Sequence, residues 1–149
     1  MKFCYFARFK NNEYADLEEN SISKALKNLG HTVYEFDVSD ADPKKLVEQT
    51  NKSDFFLFHN GGLEPQDELS LYLGINGLSN LLGQIKSTKI MWYFDRIFGP
   101  NNIFVERLLP LVDYAFLNDD TWVRRHKWGN AYGLHMGTSE RPLGKFRED

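Results

Sequence analysis

A chain of 149 residues is long enough for one domain with a real core, and 42% hydrophobic against 26% charged residues is an ordinary globular composition. The formal net charge of -3, from 18 basic and 21 acidic residues, supplies no basic footprint for nucleic acid or an anionic membrane. One cysteine, Cys4, excludes an intramolecular disulfide, the start MKFCYFARF lacks the apolar core of a signal peptide, and no run approaches the roughly 18 apolar residues of a membrane span, so cytoplasmic location is the default expectation.

Phe3 to Ala7 reads as a first strand, with Cys4 as a small buried thiol inside it. Ile22, Ala25, Leu26 and Leu29 follow at spacings of three and four, which is one face of a helix. Gly30 stops that helix, because glycine accepts the left-handed conformation at a helix end. Thr32 to Asp37 is a second strand. Asp42 then caps a helix with Pro43 at its first position. Phe55 to His59 is a third strand. Tyr72, Ile75, Leu78, Leu82 and Ile85 mark a longer helix, weakened by Gly74, Gly77 and Gly83.

The run Ile90 to Phe94 is a fourth strand, apolar on both faces and ending on Asp95 and Arg96. Phe104, Leu108, Leu111 and Val112 line a helix that Pro110 kinks or ends. Tyr114 to Leu117 is a fifth strand, Asp120 caps a short helix, and Ala131 to Met136 is a sixth strand. The polar tail GTSERPLGKFRED reads as a linker or free end. Strands alternating with helices predict an α/β fold: a Rossmann-like three-layer α/β/α sandwich with a mostly parallel six-stranded sheet. The expected strand order is 3-2-1-4-5-6, with the flavodoxin-like order as its competitor.

Each apolar run delivers polar residues or glycine at the same end. The third strand runs into HNGG, the fourth into DRIFG, the fifth into NDDTW, and the last carries His135. In open α/β sheets that edge forms the ligand cleft. The glycines after His59 and Asn60, beginning with Gly61, allow backbone amides to face a ligand, and they equally make a turn. Named motifs are otherwise missing. The segment ARFKNNEYADLEEN after the first strand has no glycine, so the dinucleotide fingerprint is absent, and there is no P-loop and no nucleophile elbow. The four histidines have no zinc-like spacing, and Asp40-Ala41-Asp42 runs into a helix start, so it reads as a cap. No metal site and no cofactor are expected.

The segments SISKALKNLGHTVYEFD, DFFLFHNG, KIMWYFDRI, VDYAFLNDDTWV and NAYGLHMGTSE, in that order, resemble the amino-terminal half of GT-B type glycosyltransferases, and within them the CgeB-like group related to spore-maturation proteins. The likeness covers nearly the whole chain. It implies a two-domain hexosyltransferase in which the amino-terminal domain holds the acceptor and a carboxy-terminal domain holds the sugar nucleotide. On that reading residues 1–137 are the acceptor-side domain, and residues 138–149 lead toward a carboxy-terminal nucleotide-sugar-binding domain, without which the chain would be inactive. The partners implied are that domain and a sugar-like or other hydroxyl acceptor, with no nucleic acid and no membrane span.

Transfer to a hydroxyl needs positioning and a group to take the proton. His59 and Asp95 are the candidates: an imidazole titrates near neutrality, while a carboxylate paired with Arg96 would serve better as an anchor. Asn60, Gly61, Arg96, Asn118, Asp119, Thr121 and His135 are candidate substrate contacts, and Trp122 could stack on a ring. Trp92 and Tyr93 fit the core better. Two other readings compete. One is a stand-alone flavodoxin-like binding or regulatory module, which would need phosphate chemistry in the first loop. A receiver domain in particular would need acidic residues where Arg8 and Phe9 stand, and an aspartate in place of His59. The other is a structural or oligomerising domain without catalysis.

Overall fold

The computed structural model describes residues 1–10, 18–40, 42–60, 77–93, 105–118, 121, 123–124 and 127–134. Six strands form one sheet: β1 (Lys2–Ala7), β2 (Thr32–Asp37), β3 (Phe55–Asn60), β4 (Thr88–Tyr93), β5 (Tyr114–Leu117) and β6 (Ala131–Gly133). Every neighbouring pair is parallel. Among the described residues the longer helical stretches are α1 (Glu18–Asn28), α2 (Pro43–Thr50), α3 (residues 77–84) and α4 (residues 105–108), and residues 121, 123 and 124 are helical as well. The architecture is the expected α/β sandwich.

Local chemistry sets the element ends. Gly30 follows α1 with φ +80°, and the amides of Gly30 and His31 donate to the carbonyls of Lys27 and Leu26, closing the helix. Asp42 caps α2 from an extended backbone, accepting from the Lys44 amide at 2.9 Å, with Pro43 next in the chain. Pro110 falls in the 3-10 turn Leu109–Leu111 that ends α4, since proline supplies no amide for a continuing helix. Tyr72, Ile75, Phe94, Phe104, Asp120 and Met136 lie outside the described residues, and β6 is described only as Ala131–Gly133.

Side-chain alternation divides the core in two. On one face Cys4, Phe6, Phe56, Phe58, Met91 and Leu117 pack with Leu46 of α2, Leu78 and Leu82 of α3 and Leu108 of α4. On the other, Phe3, Tyr5, Ala7 and Leu57 pack with Ile22 and Leu26 of α1. Burial of one such side chain as complete as Leu46's, 1% exposed, contributes about 1.5–3 kcal/mol.

The strand order is β2-β1-β3-β4-β5-β6, which corrects the expected 3-2-1-4-5-6. β3 does not extend the sheet beyond β2. It crosses back over β1 and pairs with β1 on its other side. The steps β1→β2 and β2→β3 therefore run in opposite directions, and right-handed crossovers put α1 and α2 on opposite faces, as the two core clusters record. Apolar periodicity marks which face of a strand is buried and carries no information about which strand lies alongside.

Candidate functional site at the carboxyl rim

The order decides where a ligand crevice lies. Open α/β sheets bind ligands beyond the carboxyl ends of the strands, where the strand order reverses. The order 3-2-1-4 would put that reversal between β1 and β4, beside Asp95. The observed order puts it between β1 and β3. Phe6 pairs with Phe58, so the chain beyond Ala7 leaves the sheet beside His59 and Asn60. Arg8 and Phe9 follow β1 and are half-buried, and the Phe9 ring meets Tyr5 edge-on at 5.2 Å on the α1 face.

The rest of the rim follows by register. His59 pairs with Trp92 and Asn60 with Tyr93, and Tyr93 pairs with Leu117. Asn118 is the next residue, half-buried, and its amide donates to the Tyr93 carbonyl at 3.0 Å. Positions 59, 60 and 118 thus leave the same edge of the sheet, with β3 and β5 about 10 Å apart across β4. Thr121 is helical and exposed. Gly61, Asp95, Arg96, Asp119, Trp122 and His135 lie outside the described residues.

Asp37, the last residue of β2, is a rim residue that the sequence reading missed. It is buried, at 6% exposure, and reaches across the end of β1. Its Oδ2 accepts the amides of Phe9 and Lys10, each at 2.6 Å, and its Oδ1 accepts the Ser39 amide at 2.9 Å and the Ser39 hydroxyl. Burial alone would raise its pKa, but the hydrogen bonds from Ser39, Lys10 and Phe9 outweigh that and hold it below the usual carboxylate range. The carboxylate fixes the first loop to the end of β2. An acidic residue closing the second strand was a visible signal, and in dinucleotide-binding sheets an acid at that place bonds a ribose. Here its acceptor sites go to its own chain.

Glu35 and Cys4 are held by contacts within the fold. Glu35 of β2 accepts from Ser23 and from Lys27 at 2.5 Å, tying α1 to the sheet. Burial opposes these bonds, but together they hold its carboxyl below the usual range. Cys4 lies under the sheet within 3.2 Å of the Thr50 hydroxyl, and burial pushes its thiol up to about 11. Among the described residues no group of three or more His, Cys, Asp or Glu could hold a metal ion, and no helix is long and apolar enough to cross a membrane.

The class that the fold defines is a parallel α/β sandwich with flavodoxin-like strand order and its reversal between β1 and β3. No protein-family model matches the sequence, and none of the curated proteins matches it. Solved structures do. An alpha-glucosyltransferase, in complex with UDP and a 13-mer DNA containing a HMU base, matches over 93% of this chain at 13% identity with a TM-score of 0.58. This chain spans 42% of that protein's length. A flavodoxin-like domain from Synechococcus matches over 77% of this chain and 81% of its own, at 14% identity and a TM-score of 0.51. A diflavin flavoprotein A3 from Nostoc matches over 93% of this chain and 79% of its own, at 14% identity and a TM-score of 0.51. At these identities the likeness establishes the fold, and the fold is common to glycosyltransferase and flavodoxin-like domains.

Proposed function

We propose that this chain is the acceptor-side domain of a GT-B type glycosyltransferase of the CgeB-like kind, working with a carboxy-terminal domain that holds the sugar nucleotide. The observation that carries this reading is the commitment of the Phe9 and Lys10 amides, among the described residues that follow β1. A flavodoxin-like module holds a phosphate-bearing ligand at the reversal between β1 and β3, where free loop amides are the natural donors. In this chain the Phe9 and Lys10 amides are already taken by Asp37, and a carboxylate beside them repels a phosphate. On this reading Asn60 and Asn118, at the strand ends, bond acceptor hydroxyls, with Gly61, Asp119, Thr121 and His135 as further contacts and Trp122 as a stacking surface. The glucosyltransferase and the diflavin flavoprotein each match over 93% of this chain, so breadth of match favours neither reading.

In the mechanism that follows, His59 takes the proton of the acceptor hydroxyl as the sugar is transferred. Asp95, paired with Arg96, anchors the acceptor or orients His59. In the two-domain enzyme, His59→Ala lowers kcat by about 10²- to 10⁴-fold, the usual contribution of a general base. The second reading, a flavodoxin-like binding module, has the strand order in its favour. Titrating the chain with FMN and with UDP-glucose separates the two. The glycosyltransferase reading expects neither to bind tightly to this chain alone, and micromolar binding of FMN at the first loop would replace it with the module.

A further inference from the structure

Asp37 is bonded more heavily than the sheet requires. β1 and β2 already pair along their length, from Lys2 and Thr32 to Ala7 and Asp37. Beyond that ladder the carboxylate collects four donors: the Phe9 and Lys10 amides on Oδ2, each at 2.6 Å, and the Ser39 amide at 2.9 Å with the Ser39 hydroxyl on Oδ1. The donors come from two segments, the chain that follows β1 and the turn Val38–Asp40 that follows β2. They converge at the carboxyl rim on a side chain 6% exposed.

Three amides and a hydroxyl aimed at one buried anion make a cradle for an oxyanion. Successive backbone amides turned toward one oxygen are how a main chain holds phosphate. Bonds from such donors to an ionised acceptor are about twice as strong as bonds between neutral groups. The same bonds keep Asp37 ionised, with its carboxyl below the usual range despite burial. The chain thus supplies the occupant of its own cradle. A tethered carboxylate is always present at high effective concentration, and a phosphate group seeking those donors meets a like charge in its way.

We propose that Asp37 is a specificity-determining residue: its carboxylate fills an anion cradle made by the Phe9, Lys10 and Ser39 amides and the Ser39 hydroxyl, and so excludes phosphate-bearing ligands from the carboxyl rim beside β1. On the functional reading above, on which this proposal rests, the acceptor side holds neutral hydroxyls. An open cradle there would capture the phosphates of the donor nucleotide instead.

The test titrates inorganic phosphate, against chloride of equal ionic strength, into the isotope-labelled full chain and two variants. Asp37→Gly empties the cradle, and Asp37→Asn removes the charge while keeping one oxygen acceptor. The Phe9, Lys10 and Ser39 amide signals are followed at neutral pH. In Asp37→Gly they shift saturably, with an affinity at least about tenfold above that of the wild type, the equivalent of one charged hydrogen bond gained. Phosphate also raises the urea midpoint of Asp37→Gly more than that of the wild type, because it binds only the folded variant. Asp37→Asn shows the same shifts at lower affinity. Wild-type amides that move with phosphate as far as the variants' overturn the inference. So do variants whose amides stay still, and variants that remain unfolded in phosphate. FMN bound by the wild type without moving Phe9 or Lys10 instead overturns the functional reading, and leaves the phosphate result as it is.

Discussion

The two rims of the sheet use the same chemistry to different ends. At the amino rim, Asp54 and Asp113 stand immediately before β3 and β5, and each clips the neighbouring strand. The Lys2 amide donates to the Asp54 carboxylate at 2.7 Å while the Asp54 amide donates back to the Lys2 carbonyl at 2.9 Å. The Lys89 amide donates to Asp113 at 2.7 Å, and the Asp113 amide returns to the Lys89 carbonyl at 3.0 Å. Asn130 adds bonds to the carbonyls of Leu109 and Val112. These clips join strands already paired. At the carboxyl rim, Asp37 of β2 instead holds residues 9 and 10, which follow β1. A carboxylate at the first rim joins paired strands; at the second it fixes the chain that follows β1.

The contrast predicts a graded series of losses. Asp37→Ala leaves the Phe9, Lys10 and Ser39 amides without their charged acceptor in a buried place, and it lowers the unfolding free energy in urea by about 3 kcal/mol. Because the folded carboxyl titrates below its ordinary range, that stabilisation is complete above about pH 4 and is lost as pH falls through the folded value. The wild-type chain therefore loses part of its stability in that window, and Asp37→Asn does not lose that part.

Asp113→Ala and Asp54→Ala each cost about 1 kcal/mol, since their bonds are exposed to water, and the two costs add because the sites are two strands apart. Equal losses for Asp37→Ala and Asp54→Ala would break the comparison. Lys27→Ala, which removes an exposed ion pair at 2.5 Å, costs less than about 1 kcal/mol. Smallest of all, Cys4 in the native chain stays unmodified by iodoacetamide at pH 8, because its thiol is buried and titrates near 11. Modification as fast as in urea would contradict the packing under the sheet.

Much of the fold was legible because the signals were local. Gly30 and Asp42–Pro43 ended and started helices where the sequence predicted them, and Thr32 to Asp37 and Tyr114 to Leu117 are strands with the predicted bounds. Strand order was not legible, because it depends on the direction of each crossover, and apolar spacing is blind to direction. The observed order puts the reversal between β1 and β3, beside positions 59 and 60. Asp37 escaped notice because its partners lie 27 and 28 residues away, across a strand that only folding brings near.

On the proposed function, ligands enter at the carboxyl rim, beside the ends of β1 and β3. Amide chemical-shift mapping of the isotope-labelled chain, titrated with simple alkyl glycosides, tests it directly. The largest shifts are expected at Arg8 to Lys10 and at His59, Asn60 and Asn118. Shifts gathered instead around Lys2, Asp54, Lys89 and Asp113 at the amino rim would contradict it.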